Sequence, residues 1–533
     1  EGLNLSASQM GKDTLVLPKF RAMYLDSELR EKSALSVERS RDFRALIRDM
    51  KTVEDNDFEI PPSLAKILRE YQKLGFLWLK TLAYNGFGGI LADDMGLGKT
   101  LQVIAYLLSE QEEKGEAGSR PSLIVCPASL VYNWESELHR FAPDLATRLI
   151  IGTAAARQTL IEGIQPGEVC VTSYELLKRD IGLYGDLAFG CQVVDEAQYI
   201  KNHNTQAAKS VKSINAGFRI ALTGTPVENR LSELWSIFDF LMPGFLHAYD
   251  RFRKEVETPI VQGQDEEVME RLRKMTHPFI LRRLKKDVLK DLPDKIEKNM
   301  FTRMDGEQQK LYDAHVKQLQ LFLDGASDEE LSTSKIQILS QLTRLRQICC
   351  DPALVYEDYK GESAKTQMCV ELISNAVSAG HKILLFSQFT TMLSDLEGRL
   401  EDVGISYYIL TGATSKEKRN RLVKAFNEDD TSVFLISLKA GGTGLNLTAA
   451  DMVIHFDPWW NLAVQNQATD RAHRIGQKNV VTVYKLIAQD TIEDKILELQ
   501  ERKKNLADQI LTGRGVDSVS FDREELMELL RKS

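Results

Sequence analysis

No stretch of this chain approaches the roughly 18 consecutive apolar residues that a membrane-spanning helix requires, so neither a span nor a membrane partner is expected. Cysteine is scarce. The six lie at 126, 170, 191, 349, 350 and 369, and none forms a C-x-x-C pair. That excludes a disulfide framework and a zinc site built on such pairs, and it predicts buried thiols in a reducing compartment. The eight histidines are scattered without an H-E-x-x-H pattern, so no structural metal is assigned. No short internal repeat is present. No signal-peptide pattern follows Glu1, and the chain is expected to be a piece of a longer one.

An excess of positive charge is also missing. The chain carries 68 Lys and Arg against 77 Asp and Glu, which gives −9 and a pI near 5.6. A global basic footprint for nucleic acid is therefore absent, although a local groove remains compatible with that total. Between Arg271 and Arg303, 11 basic residues face four acidic ones, a pattern that reads first as a solvated basic helical face. The 533 residues are 43% hydrophobic and 27% charged, an ordinary balance for folded protein. That is enough chain for about three or four units with their own cores.

Residues 1–55 are charged and helix-leaning, and Pro61-Pro62 marks a boundary. Short apolar runs then alternate with amphipathic stretches. Strands are expected at 89–92, 123–126, 170–172, 192–194 and 219–222. Residues 232–350 read as helical insertions plus a linker. Strand runs resume at 383–386, 407–410, 433–436, 452–456 and 480–486, and a helix is expected over 491–511. The fold class is α/β, with two parallel-sheet lobes, helical insertions and a C-terminal helical segment. The expected divisions are a connector at 1–55, a first lobe at 56–284 and a linker at 285–300. A helical insertion at 301–355, a second lobe at 356–490 and a helical tail at 491–533 follow.

The sharpest local signal is Asp93-Asp94-Met95-Gly96-Leu97-Gly98-Lys99-Thr100, between an apolar run and a helical one. Glycines at 96 and 98 let backbone N–H groups turn toward phosphate oxygens. Lys99 would reach the β and γ phosphates, and Thr100 would ligate Mg²⁺. The strict G-x-x-x-x-G-K-[ST] pattern fails at its first position, which is Asp93. About 100 residues on, Asp195-Glu196 ends an apolar run. Asp195 would hold Mg²⁺ through its water shell, and Glu196 would orient or deprotonate an attacking water. Arg471 and Arg474, three apart, are expected to share a helix face and to offer an arginine finger; the plainer reading is a pair bridging surface acids.

The ordered set is more specific than any member. It runs Glu70-Tyr71-Gln72, the phosphate loop, Pro127-Ala128-Ser129-Leu130-Val131-Tyr132-Asn133-Trp134, Thr172-Ser173-Tyr174-Glu175, Asp195-Glu196-Ala197-Gln198 and Thr223-Gly224-Thr225-Pro226. Ser387-Gln388-Phe389, Gly441-Gly442-Thr443-Gly444 and the arginine segment through Gln477 complete it. Over about residues 60–510 the chain resembles helicase superfamily two. Thr343-Arg344-Leu345-Arg346-Gln347-Ile348-Cys349-Cys350, Lys201-Asn202 and Trp460-Asn461 point to its SWI/SNF-type branch of double-stranded DNA translocases.

The resemblance implies two RecA-like lobes with ATP between them. Gln72 would read the adenine edge, and Met95 through Thr100 (Met95, Gly96, Leu97, Gly98, Lys99, Thr100) would cradle the phosphates. Gly442, Gln467, Arg471 and Arg474 would come from the second lobe. Gln198, Thr223, Gly224 and Thr225 would couple the lobes. Ser129, Asn133, Trp134, Lys201, Thr443 and Trp460 would grip the sugar-phosphate backbone; for the two tryptophans, core packing is an equal alternative. Gln198 stands where most of the branch has His, and Leu462 where Pro is usual. The implied activity is a DNA-dependent ATPase that uses ATP and Mg²⁺ and remodels or displaces DNA-bound protein. RNA polymerase is an open partner, and a strand-separating helicase and an inactive scaffold are the competing readings. A bacterial origin is expected, with a cytoplasmic, nucleoid-associated site of action, or a nuclear one otherwise.

Overall fold

The structure, a computed structural model, describes the chain except residues 1–16, 32–37, 116–117, 225–230, 264, 290–292, 294, 305, 326–333, 442–444, 461, 499, 501–526, 528–529 and 531–533. The chain divides into two compact units between Leu289 and Lys290.

The first unit is built on one all-parallel sheet of seven strands. These are β1 (Gly89–Leu91), β2 (Ser122–Cys126), β3 (Thr147–Leu149), β4 (Val169–Ser173), β5 (Ala188–Asp195), β6 (Asn215–Leu222) and β7 (Ile280–Leu281), in the order β3-β4-β2-β5-β6-β1-β7. Helices on both faces explain why β1 and β4 are buried throughout rather than alternating. The helices start where the sequence supplies oxygen caps: Ser173 accepts from Leu176 N at 3.3 Å and Thr205 from Ala208 N at 3.2 Å. The N-terminal helices Ala22–Glu31 and Arg41–Lys51 share the core of this unit through Met23, Leu46, Ile47 and Met50. Arg21 reinforces the attachment by donating to the Phe245 carbonyl at 2.9 Å.

The second unit carries an all-parallel sheet of six: β8 (Lys295–Thr302), β9 (Ile383–Ser387), β10 (Tyr407–Leu410), β11 (Val433–Ser437), β12 (Met452–His455) and β13 (Val481–Ala488), ordered β10-β11-β9-β12-β13-β8. Helices Gly306–Gly325 and Lys335–Cys350 form a separate apolar cluster with Ile492 and Ile496.

All ten expected strands are present, with ends displaced by a few residues. Three short or charged ones were not expected. β3 has three residues and β7 has two, too few to show a period. β8 corrects the linker expected at 285–300: residues 295–302 pair with β13 along eight positions, and Lys285–Val288 is helical. As an edge strand with six exposed residues, β8 needs no apolar run to form. The basic run from Arg271 to Arg303 is accordingly not one helical face, because it crosses a helix, β7, a second short helix and β8. The expected C-terminal helix begins as foreseen, with residues 492–498 helical; 501–511 lie outside the described residues. All six cysteines are buried and free.

Candidate functional site

The phosphate loop leaves β1 at the C-terminal edge of the first sheet, where ligands of open parallel sheets bind. It turns through Gly96 (φ 82°) and Gly98 (φ 73°) into the 16-residue helix Lys99–Lys114. Gly98 is required twice over: its φ is left-handed, and an added Cβ would lie 2.4 Å from Gln72 Nε2. Thr100 is half-buried in the first turn of that helix. Lys99 Nζ is held at the loop, donating to the Asp93 carbonyl at 2.6 Å and the Asp94 carbonyl at 3.4 Å. The Leu97 carbonyl accepts from Tyr71 Oη and from Gln72 Nε2, both at 3.0 Å. Gln72 Oε1 accepts from Arg69 N at 3.0 Å. One amide N–H and one lone pair of Gln72 are left over, the complement that an adenine edge offers.

Asp93, the position that departs from the strict phosphate-loop pattern, has no exposed surface. Arg283 explains it. Arg283 Nε donates to Asp93 Oδ1 at 2.8 Å and its terminal nitrogen to Asp93 Oδ2, a two-pronged pair. The same guanidinium reaches Gln102 Oε1 at 2.7 Å and the Tyr71 carbonyl, and Gln102 Nε2 donates to Asp93 Oδ2 at 3.2 Å. Neither Arg283 nor Gln102 was singled out from the sequence; the missing glycine at 93 was the available signal.

Asp195 ends β5, and Glu196 follows with φ 53°, a left-handed backbone unusual for a residue with a side chain. That turn separates two adjacent carboxylates. Gln198 Nε2 donates to Glu196 Oε2 at 2.8 Å, and Thr223 Oγ1 donates to Gln198 Oε1 at 3.3 Å. Gln198 therefore does in this chain what its amide allows, holding Glu196 on one side and Thr223 on the other. Gly224 packs against the loop, since an added Cβ would meet Met95 Cγ at 3.3 Å. Thr225 lies outside the described residues. Burial, reinforced by the Glu196 charge, raises Asp195 to about 7, against the opposing pull of Trp134 and Lys99. The oxygens of Asp195 and Glu196 are the donor type that a hard divalent cation such as Mg²⁺ takes, and such a cation would favour the ionised form.

For Trp134, burial favours the packing alternative over the DNA contact. Its ring is 1% exposed, and its indole donates to Asp195 Oδ2 at 2.9 Å. Its polar edge is turned to Asp195 and its ring is packed inside the first unit. Helical periodicity is the reason: on helix Val131–Phe141, Val131, Trp134 and Leu138 point inward together. Asn133 and Ser129 stay half-exposed on the other side, and Asn133 Nδ2 donates to Glu137 at 3.3 Å. Lys201 faces Glu233 at 3.5 Å.

In the second unit, Gly442 and Thr443 lie outside the described residues. Arg471 and Arg474 do not share a helix face. Helix Leu462–Thr469, which carries half-buried Gln467, ends before them, and both stand in turns that close at Gly476 (φ 105°). Arg471 is 8% exposed, which disfavours a surface bridge, and Arg474 donates to the Leu445 carbonyl at 3.4 Å. Trp460 is half-buried, with the Arg346 guanidinium 5.7 Å from its ring centre. Arg346 also donates to Gln388 Oε1 at 2.8 Å and stands 3.6 Å from buried Asp457.

Comparison with known proteins gives three family matches: the SNF2-related domain over residues 71–354, the helicase conserved C-terminal domain over 364–476, and the bacterial SNF2 helicase associated family over 1–61. The first spans more than half of the chain. A putative ATP-dependent helicase/translocase of Bacillus subtilis, YwqA, is 40% identical over 499 residues, which is 91% of this chain and 54% of the relative. The TATA-binding protein-associated factor MOT1 of Saccharomyces cerevisiae is 35% identical, over 94% of this chain and 30% of the relative. The chain thus spans about half the length, or less, of the curated relatives it matches. Among solved structures, a Sulfolobus solfataricus SWI2/SNF2 ATPase core in complex with double-stranded DNA is 38% identical, covering 87% of this chain and 97% of that one with a TM-score of 0.42.

Proposed function

The chain belongs to the SNF2 family, and from that premise we propose that it is an ATP-hydrolysing motor that moves along double-stranded DNA and remodels or displaces bound protein without separating the strands. One observation carries the reading: the Asp195-Glu196 pair is tied to the phosphate loop through Gln198 and Thr223, whose neighbour Gly224 packs on Met95 of the loop that carries Lys99. An intact lysine and an intact carboxylate pair in one cradle are the parts a nucleotide hydrolase needs.

The phosphates of ATP bind at the N-terminus of helix Lys99–Lys114, where backbone N–H groups and the helix dipole favour negative charge. Lys99 exchanges the Asp93 and Asp94 carbonyls for phosphate oxygens. Gln72 reads the adenine edge with its remaining donor and acceptor. Glu196, oriented by Gln198, aligns the attacking water and takes its proton. Asp195 and Thr100 would hold Mg²⁺, which would supply charge neutralisation at the phosphates. Arg471 and Arg474 of the second unit stabilise charge on the transferred phosphoryl group, with Gln467 and Gly442 as lesser contacts. Thr223, Gly224 and Thr225 pass the state of the site to the second unit through the Gln198 link.

DNA is gripped by its backbone through Ser129, Asn133 and Lys201 of the first unit and Thr443 and Trp460 of the second. Such contacts carry little sequence information. DNA-bound proteins, RNA polymerase among them, are the objects displaced, at the nucleoid if the cell is bacterial. Among the described residues no helix is long and apolar enough to cross a membrane. The test is a pair of assays on one DNA: release of a bound protein roadblock and release of an annealed strand. Roadblock release that needs ATP and is lost in Lys99→Ala, without strand release, is the expected result. Strand release at a comparable rate would make the protein a helicase in the literal sense.

A further inference from the structure

The segment 280–285 runs beside β1 and the start of the phosphate loop, and Leu281, Arg283 and Lys285 bond to it directly. β7 pairs in parallel with β1, with Ile90 opposite Ile280 and Leu91 opposite Leu281. Beyond the strands the pairing continues. Ala92 N donates to the Leu281 carbonyl at 2.7 Å, and Asp94 N donates to the Arg283 carbonyl at 3.0 Å. Lys285 N donates to Asp94 Oδ2 at 3.0 Å. Arg283 adds its side chain from the same place: to both oxygens of Asp93, to Gln102 on the first helix turn after the loop, and to the main-chain carbonyl of Tyr71. Its guanidinium also lies 5.3 Å from the centre of the Tyr71 ring.

The connections of this one residue are unusual in kind. Tyr71 and Gln72 form the adenine-side wall, since both bond the Leu97 carbonyl. Asp93 opens the loop, and its carbonyl holds Lys99. Arg283 fastens the two walls to each other, and six residues later the first unit ends at Leu289. A planar guanidinium can bridge three acceptors at fixed angles; an ammonium on a flexible stem cannot. The Asp93 carboxylate has no solvent contact, so losing its partner would leave a buried charge unpaired.

We propose that Arg283 is a positioning residue of the nucleotide site, setting the spacing between the adenine-side wall and the phosphate loop from the segment that leads into the second unit. A pull along that segment then changes nucleotide affinity, which gives the motor a mechanical route from the second unit back to the first. The inference rests on the nucleotide-site reading above, but not on the identity of the track.

The test uses the whole chain with Arg283→Gln, Arg283→Lys, Asp93→Asn and the Arg283→Gln/Asp93→Asn pair. The readout is equilibrium binding of a fluorescent ATP analogue, followed by KM and kcat. Arg283→Gln is expected to bind about tenfold more weakly, with KM rising more than kcat falls. Arg283→Lys restores part of that affinity, because it keeps a charge for Asp93 but loses the bridge to Tyr71. The double variant binds no more weakly than the weaker single one, because both changes remove the same link. Wild-type affinity in all the variants, with only a lowered melting temperature, would overturn the proposal, as would fully additive losses. If Arg283→Gln does not fold, Arg283→Lys and Asp93→Asn decide the matter alone. Failure of the motor reading looks different: the wild type binds nucleotide and duplex DNA does not stimulate it. A wild type that binds no nucleotide overturns both.

Discussion

Trp134 donates its indole N–H to Asp195 Oδ2 at 2.9 Å. The helix Val131–Phe141 that carries it also carries half-exposed Asn133, a proposed DNA contact. One helix thus has one side chain at the nucleotide site and its neighbour facing outward. A shift of that helix on DNA binding would be felt at Asp195 without any intermediary.

Trp134→Phe keeps most of the ring and removes the donor. It should lower DNA-stimulated ATP turnover about tenfold, and the unsatisfied oxygen should cost roughly 1–3 kcal/mol of stability. Affinity for duplex DNA at low salt should change little, which a fluorescence anisotropy titration reads. Lost DNA affinity with unchanged kcat would return Trp134 to the DNA surface.

Glu196→Gln should bind ATP and DNA and hydrolyse about 10²–10⁴-fold more slowly, the usual range for a removed general base. Gln198→Ala should give a smaller loss, because Glu196 keeps its carboxylate and loses only its holder. Single-turnover hydrolysis separates the two. A Glu196→Gln variant with normal turnover would strip Glu196 of its role.

Arg474→Ala should leave nucleotide affinity largely intact while hydrolysis falls by about 10³-fold or more, as for an arginine that acts on transition-state charge. Arg474 donates to the Leu445 carbonyl at 3.4 Å, so a melting curve is recorded beside the turnover measurement. A variant that melts early but turns over normally when folded would assign it a structural role.

Glu297 gives a pH signature in the second unit. Burial opposes its ionisation, but Lys295 and Lys485 overcome that and hold it down at about 2. The folded value lies below the ordinary 4.5, so the pair stabilises above 4.5, and that contribution is lost as the pH falls through about 2. The side chain is 36% exposed, so solvent screening keeps the effect small. Thermal melts of wild type and Glu297→Gln should differ at pH 7 and converge between about pH 4.5 and 2. A constant difference across that range would contradict the assignment.

Much of this was legible from residues alone because parallel strands buried on both faces announce themselves as apolar runs. Ile383 through Phe386 and Val433 through Ile436 could hardly be anything else. The phosphate loop and the Asp195-Glu196 pair were legible for a different reason, since their chemistry demands particular side chains at the ends of such strands. What escaped was whatever depends on contacts distant in sequence. Arg283 lies 190 residues from Asp93, inside a basic run that looks like solvated surface. β8 is charged because it forms an edge. Trp134 belongs to a motif associated with DNA, and only the helix phase decides which way it points. The arginine pair followed a helical spacing, but its helix stops at Thr469.

The most direct test of the central claim is the ATPase rate with no nucleic acid, duplex DNA, single-stranded DNA and RNA, each at low and high salt. A backbone-tracking motor should be stimulated strongly by duplex DNA alone, with the stimulation falling steeply as salt rises. Equal or greater stimulation by single strands or RNA, or a rate indifferent to any nucleic acid, would contradict it.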